Sequence, residues 1–184
     1  GVIASANHAA GFCGQVDVIT SIGAEDRRED VIDACLRHNV SLKPFYLPGS
    51  PTTRKLRYVD TSFLGKLFEV QFIDDPPLPQ AQRRELNEML IDLAPQYDAV
   101  LVNDFGHGLI TGDTVDTICG LDTFIAVNAQ TNSANRGYNL ITKYPRADYI
   151  CIDSPEARLA VGDQFSDLET IASRSLPARI DCGK

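Results

Sequence analysis

The sequence predicts an α/β fold, a parallel sheet flanked by helices into which one small β element is inserted. Short apolar runs at residues 16–20, 99–102, 124–127 and 149–152 alternate with longer amphipathic or capped stretches, the pattern of strands joined through helices. Three of these runs end in polar residues: Val102 leads into Asn103 and Asp104, Val127 into Asn128, and Ile152 into Asp153. The segment from about 41 to 75 breaks the alternation, with extended runs at 55–59 and 66–72 and turn-forming residues between them.

Each element has a local cause. Val31, Ile32, Cys35 and Leu36 recur at helical spacing and predict an early helix; Leu86, Met89, Leu90 and Leu93 predict another over about 80–94. The 41–75 segment is too small for a stable domain and is expected to lie as a flap on the main sheet within one domain, 1–184. Prolines 76, 77 and 79 stiffen the return from it. Asp153-Ser154-Pro155-Glu156 combines a capping residue, an early proline and an early acid, so a helix should start there and run through Leu159. One more helix is expected over 167–173.

Composition narrows the functions. With 184 residues, 43% hydrophobic and 23% charged, the chain can bury one sizeable core. Its longest apolar runs fall far short of the roughly 20 residues of a membrane helix. The first residues hold no initiator Met, basic region or long apolar stretch, so no signal peptide is read and a start inside a longer protein is expected. A net charge of -8 without a Lys/Arg-dense stretch argues against nucleic acid as a partner. Cys13, Cys35, Cys119, Cys151 and Cys182 form no C-x-x-C pair and are expected as buried, reduced thiols of a cytosolic protein. His8, His38 and His107 are too scattered for a zinc site.

In open α/β sheets, ligands bind at the carboxyl ends of the strands, where Asp104, Asn128 and Asp153 are expected to converge on one cleft. The alternative is that these residues cap helices. No G-x-x-x-x-G-K-[ST] loop is present, Gly106-His107-Gly108 lacks the third glycine of a dinucleotide fingerprint, and no G-x-S-x-G elbow supplies a nucleophile.

Read in order, several segments resemble the PfkB (ribokinase-type) carbohydrate kinases, nearest to the heptose-7-phosphate kinase domain of bifunctional ADP-heptose synthases. The first seven residues resemble the end of the family's Gly-Gly segment, where a helix begins beside the sugar. Gly23-Ala24-Glu25-Asp26 resembles its "GxDD" turn, and Pro51-Thr52-Thr53-Arg54-Lys55-Leu56-Arg57 its "PTxxKxR" strand. Asn103 to Gly108 is similar to "SDYxKG", and Asp153-Ser154-Pro155-Glu156 stands where the family has "NxxE".

The resemblance implies a three-layer fold with helices on both faces of the sheet and a β-lid over the sugar. It implies transfer of phosphate from ATP, with Mg²⁺, to a sugar or sugar phosphate, in the cytoplasm and toward lipopolysaccharide. Gly1, Lys55, Arg57, Asp104 and Asn128 would contact the acceptor. Lys55 and Arg57, two apart on a strand, would share one face and grip an acceptor phosphate, unless they are solvated edge charges. Asp153 and Glu156 would serve the nucleotide and Mg²⁺, Glu156 through water, with no metal bound directly by protein. The lid would pair two copies into a homodimer. Departures are Ala4 for a sugar-binding Asn, His107 for Lys, Asn128 for Asp and Asp153 for Asn. The family's "GAGD" segment, which carries the catalytic base, does not occur in the 184 residues, so these residues alone are expected to be inactive. The alternative is a degenerate kinase fold that binds a sugar phosphate or nucleotide without turnover.

Overall fold

The computed structural model describes residues 1–74, 76–131 and 135–182. The chain folds as two compact units, Gly1–Pro76 and Pro77–Lys184.

The first unit runs α1 (Val2–Ala9), β1 (Val16–Gly23), α2 (Glu29–Cys35), β2 (Val40–Leu47), β3 (Arg54–Val59) and β4 (Lys66–Phe72). β1 and β2 pair parallel, from Val16 opposite Val40 to Gly23 opposite Leu47. Val18 and Ile22 are buried on one face of the pair, Phe45 and Leu47 on the other, as strands of a parallel sheet demand. β2 lies inside the stretch read from sequence as the β element. Pro44 interrupts its apolar pattern, and a proline is tolerated there because β2 is the edge of a two-stranded pair.

The inserted element proper is the antiparallel hairpin β3–β4. Its register sorts side chains by face. Leu56 opposite Val70, Tyr58 opposite Phe68 and Arg54 opposite Phe72 make one face; Lys55 opposite Gln71 and Arg57 opposite Glu69 make the other. Tyr58 and Phe68 stack with ring centroids 4.4 Å apart.

The second unit contains α3 (Gln80–Leu93), β5 (Ala99–Asp104), α4 (Gly112–Cys119), β6 (Phe124–Ala129), β7 (Arg146–Ala147), β8 (Tyr149–Ile150), α5 (Ser154–Val161), α6 (Leu168–Thr170) and β9 (Asp181–Cys182). β5, β6 and β8 form a parallel sheet in that order, and β7 pairs with β9. Val102, Ile125, Val127 and Ala129 line one sheet face and pack with Val115, Ile118, Ile141, Tyr144 and Ile180 in one core. α3 forms where its periodicity places it. α4 carries too short an apolar repeat to be read from sequence. The strand expected over 149–152 pairs only at Tyr149 and Ile150, because the chain turns at Asp153 into α5. The helix expected over 167–173 is α-helical only at Leu168–Thr170 and continues as a π-helical turn, Ile171–Ser175.

The cysteines differ from expectation. Cys13, Cys35 and Cys151 are exposed and Cys119 and Cys182 half-buried, all as free thiols. Cys35, Cys119 and Cys182 are the last residues of α2, α4 and β9, and Cys13 and Cys151 lie beyond the ends of α1 and β8, where apolar neighbours in sequence do not mean a core environment. Among the described residues no helix is long and apolar enough to cross a membrane.

Candidate functional site at the strand ends

In the first unit, two of the segments that carry the family resemblance form one seam. A Cβ on Gly23 would sit 2.0 Å from the Pro51 carbonyl carbon, 2.2 Å from the Thr52 nitrogen and 2.4 Å from the Ser50 oxygen, so only glycine fits. The Glu25 amide donates to the Ser50 carbonyl (3.2 Å) and the Thr52 amide to the Asp26 carbonyl (3.1 Å). Thr52 Oγ1 donates to the Arg27 carbonyl (3.0 Å) and accepts from the Gly23 amide (3.2 Å). The turn after β1 therefore sets where the hairpin begins.

On the charged face of that hairpin, Arg57 Nε meets Glu69 Oε2 at 2.8 Å. The Glu69 carboxyl is held below its ordinary range by the Gln71 amide first, then by the charges of Arg57, Lys66 and Lys55. Arg57 makes the ion pair, and Lys66 and Lys55 act on the carboxylate through their charge. Lys66 had no signal in the sequence beyond its place at the start of an extended run. Gly1 caps α1 through its carbonyl, which accepts from the Ala4 (3.0 Å) and Ser5 (3.2 Å) amides.

In the second unit, Asp104 ends β5 and is 3% exposed. Its carboxylate accepts from the Gly106 amide (2.9 Å) and the Tyr144 hydroxyl (2.7 Å), and pairs with Lys143 Nζ. Burial, reinforced by the Asp104 charge, pushes the Tyr144 hydroxyl far above its ordinary pKa, so it remains a neutral donor. The Asp104 carbonyl accepts from the Gln130 amide (2.8 Å) and from Asn139 Nδ2 (2.9 Å). Gly106 (φ +71) leaves room for this crossing; a Cβ there would lie 2.3 Å from Asn135 Nδ2. His107 stacks on Phe105, ring centroids 6.5 Å apart.

The expected convergence is only partial. Asn128 lies opposite Asn103, and Asp104 opposite Ala129, so the Asp104 and Asn128 side chains share an edge but leave opposite faces of the sheet. Asn128 Nδ2 donates to the Cys151 carbonyl at 2.7 Å, tying β6 to the end of β8. Asp104 faces inward to its own partners.

Asp153 and Glu156 form a capping box at the start of α5. Asp153 Oδ1 accepts from the Glu156 amide (2.8 Å), and Glu156 Oε2 from the Asp153 amide (3.0 Å). Glu156 Oε1 also accepts from the Thr131 amide (3.0 Å). The capping role is thus real, and it leaves further lone pairs on both carboxylates. Among the described residues no group of three or more His, Cys, Asp or Glu side chains could hold a metal directly. Two adjacent hard-oxygen carboxylates, one exposed, fit an ion that keeps its waters, as Mg²⁺ does.

The fold is that of the ribokinase-type carbohydrate kinases. The tetrameric inhibited form of phosphofructokinase-2 from Escherichia coli matches 96% of this chain with 58% of its own, TM-score 0.65 and 12% identity. A carbohydrate kinase from Agrobacterium tumefaciens (88% of this chain, 50% of its own, TM-score 0.52, 15% identity) and ribokinase from Giardia lamblia (87%, 50%, 0.56, 17%) match likewise. No family model matches the sequence. In sequence the chain is similar to the bifunctional protein HldE of Rhodopseudomonas palustris (strain BisA53), 26% identical over 141 residues, 73% of this chain and 27% of that protein. It is also similar to HldE of Nitrobacter hamburgensis, 25% identical over 126 residues, 65% of this chain and 25% of that protein. The chain spans about a quarter of the length of these curated relatives.

Proposed function

We propose that the chain is the kinase-fold part of a cytoplasmic protein that transfers phosphate from ATP to a sugar phosphate of the heptose-7-phosphate type, toward ADP-heptose and lipopolysaccharide. The observation that carries this reading is the charged face of the hairpin, where Lys55 and Arg57 stand side by side and, among the described residues, only Arg57 of the two is paired, with Glu69. Phosphoryl transfer is mostly positioning and charge neutralisation, so a rigid strand presenting cations suits a phosphorylated acceptor. At the strand ends, Asp153 and Glu156 would hold Mg²⁺ through its waters, and the ion when bound neutralises charge on the nucleotide phosphates. Asp104 keeps the loop after β5 in place, and Asn128 fixes the β6–β8 edge.

Titrating a sugar and its phosphorylated form into the chain tests this. A charge-assisted hydrogen bond contributes about 1.5–3 kcal/mol, so Lys55→Ala should weaken binding of the phosphorylated form by roughly ten- to a hundred-fold. Arg57→Ala should act in the same direction. Glu69→Gln, which removes the competing carboxylate, should tighten it. Equal affinity in all variants would reduce these cations to solvated edge charges, and binding without phosphate transfer by the whole protein would favour a degenerate module.

A second reading, homodimerisation, rests on the opposite face of the hairpin. Leu56, Tyr58, Phe68, Val70 and Phe72 are each 38–54% exposed along one stripe. A second copy's hairpin would cover it. Sedimentation should show a dimer that Tyr58→Lys with Phe68→Glu converts to monomer; a monomer before substitution refutes the pairing.

A further inference from the structure

We infer that Asn139 is a positioning residue for Glu156 and acts through a single peptide group. This rests on the reading that Glu156 helps hold hydrated Mg²⁺. Asn139 is 4% exposed. Its Oδ1 accepts from Lys143 Nζ (2.6 Å), and an ammonium can only donate, so the orientation of the amide is fixed by its neighbours. Nδ2 then points at two carbonyls, of Asp104 (2.9 Å) and of Gln130 (3.1 Å). The Gln130 carbonyl and the Thr131 N–H belong to the same planar peptide, which turns as one body. That N–H is the one that holds Glu156 Oε1 at 3.0 Å. Asn135 Nδ2 reaches the same Gln130 carbonyl at 3.4 Å, a weaker hold from the same side.

The carboxylate of Glu156 is therefore gripped at both oxygens by peptides of different origin. The Asp153 amide comes from its own helix cap, and the Thr131 amide from the end of β6. With both fixed, the unused lone pairs of Glu156 keep one direction. Without Asn139, the Gln130 carbonyl keeps only the longer Asn135 contact, and the hold of the Thr131 amide on Glu156 Oε1 slackens while the cap stays. The effect falls on where the carboxylate points rather than on whether the chain folds.

The test measures ADP binding to the full 184-residue chain by calorimetry at increasing Mg²⁺, together with hydrogen exchange at the Thr131 amide. Asn139→Ala and Glu156→Gln should each raise the Mg²⁺ needed for half-maximal strengthening of ADP binding by about tenfold, the scale of lost outer-shell support, with ADP affinity in the absence of Mg²⁺ unchanged. The Thr131 amide should exchange faster in Asn139→Ala. Tyr144→Phe, which removes a neighbouring hydrogen bond to Asp104 from the same network, should lower stability and leave the Mg²⁺ midpoint in place. Should Asn139→Ala fold poorly, Asn139→Leu fills nearly the same volume, adds no charge and also removes the amide donor. A shifted midpoint in Glu156→Gln with none in the Asn139 variants overturns the inference alone. No shift in Glu156→Gln, or no Mg²⁺-dependent binding in the unaltered chain, overturns the reading on which it rests. Equal shifts in all variants, Tyr144→Phe included, would mean general loosening and overturn the positioning role.

Discussion

Asp104→Ala is expected to cost about 3–5 kcal/mol of stability in urea unfolding followed by circular dichroism, the range for removing one partner of a buried ion pair. The carboxylate is 3% exposed and serves the Gly106 amide, the Tyr144 hydroxyl and Lys143 Nζ together. Its removal strands a hydroxyl on Tyr144, which has no exposed surface, and an ammonium whose side chain is 28% exposed. Combining it with Lys143→Met and Tyr144→Phe should recover part of the loss, since the buried hydroxyl and the ammonium are then gone, while the Gly106 amide and Asn139 Oδ1 still lose a partner. A single-variant loss below about 1 kcal/mol would show that Lys143 turns out into water and that Asp104 is not the anchor of this edge.

Gly23→Ala should destabilise the first unit by about 3 kcal/mol, the upper end of overpacking costs. At an unstrained position the same change usually stabilises by about 0.4–1 kcal/mol through the unfolded chain. The sign reverses here because the added carbon meets backbone atoms of residues 50–52 at 2.0–2.4 Å, and backbone cannot swing aside as a side-chain tip can. The seam must open, with loss of the amide hydrogen bonds from Glu25 to Ser50 and from Thr52 to Asp26. Gly14→Ala, where a Cβ would meet nothing within 4 Å, is the control and should not destabilise, with a gain of up to about 1 kcal/mol. Equal melting temperatures for both variants would remove the steric account of the seam.

Elements with a strong local cause were legible in the sequence. α3 has four apolar residues on one stripe, and α5 has a complete capping box, so both formed where expected. α4 offered only Val115 and Ile118, and β2 was disguised by Pro44. The failure of Asp104 and Asn128 to share a face was available from alternation. Asp104 stands two residues beyond Val102 and Asn128 one beyond Val127, and those valines are directly opposed, so the two polar side chains fall on different faces. The roles of Thr131, Asn139, Lys143 and Tyr144 were not available. Their partners lie 25 residues away for the Thr131–Glu156 bond, 35 for Asn139–Asp104 and 40 for Tyr144–Asp104, and no local pattern encodes such bonds. Likewise Arg57 read as a free cation until the register set Glu69 opposite it.

The exposed thiols give the chain ready-made attachment points for probes. Cys13 and Cys35 lie in the first unit and Cys151 in the second. A fluorophore or spin label on Cys151 would sit beside the carbonyl that anchors Asn128, and so report on the sheet edge where nucleotide is proposed to bind. With Cys13 or Cys35 kept as the other labelled position, the same chemistry would measure the separation of the two units in solution, with and without ligand, and no residue of the candidate site would need to be changed.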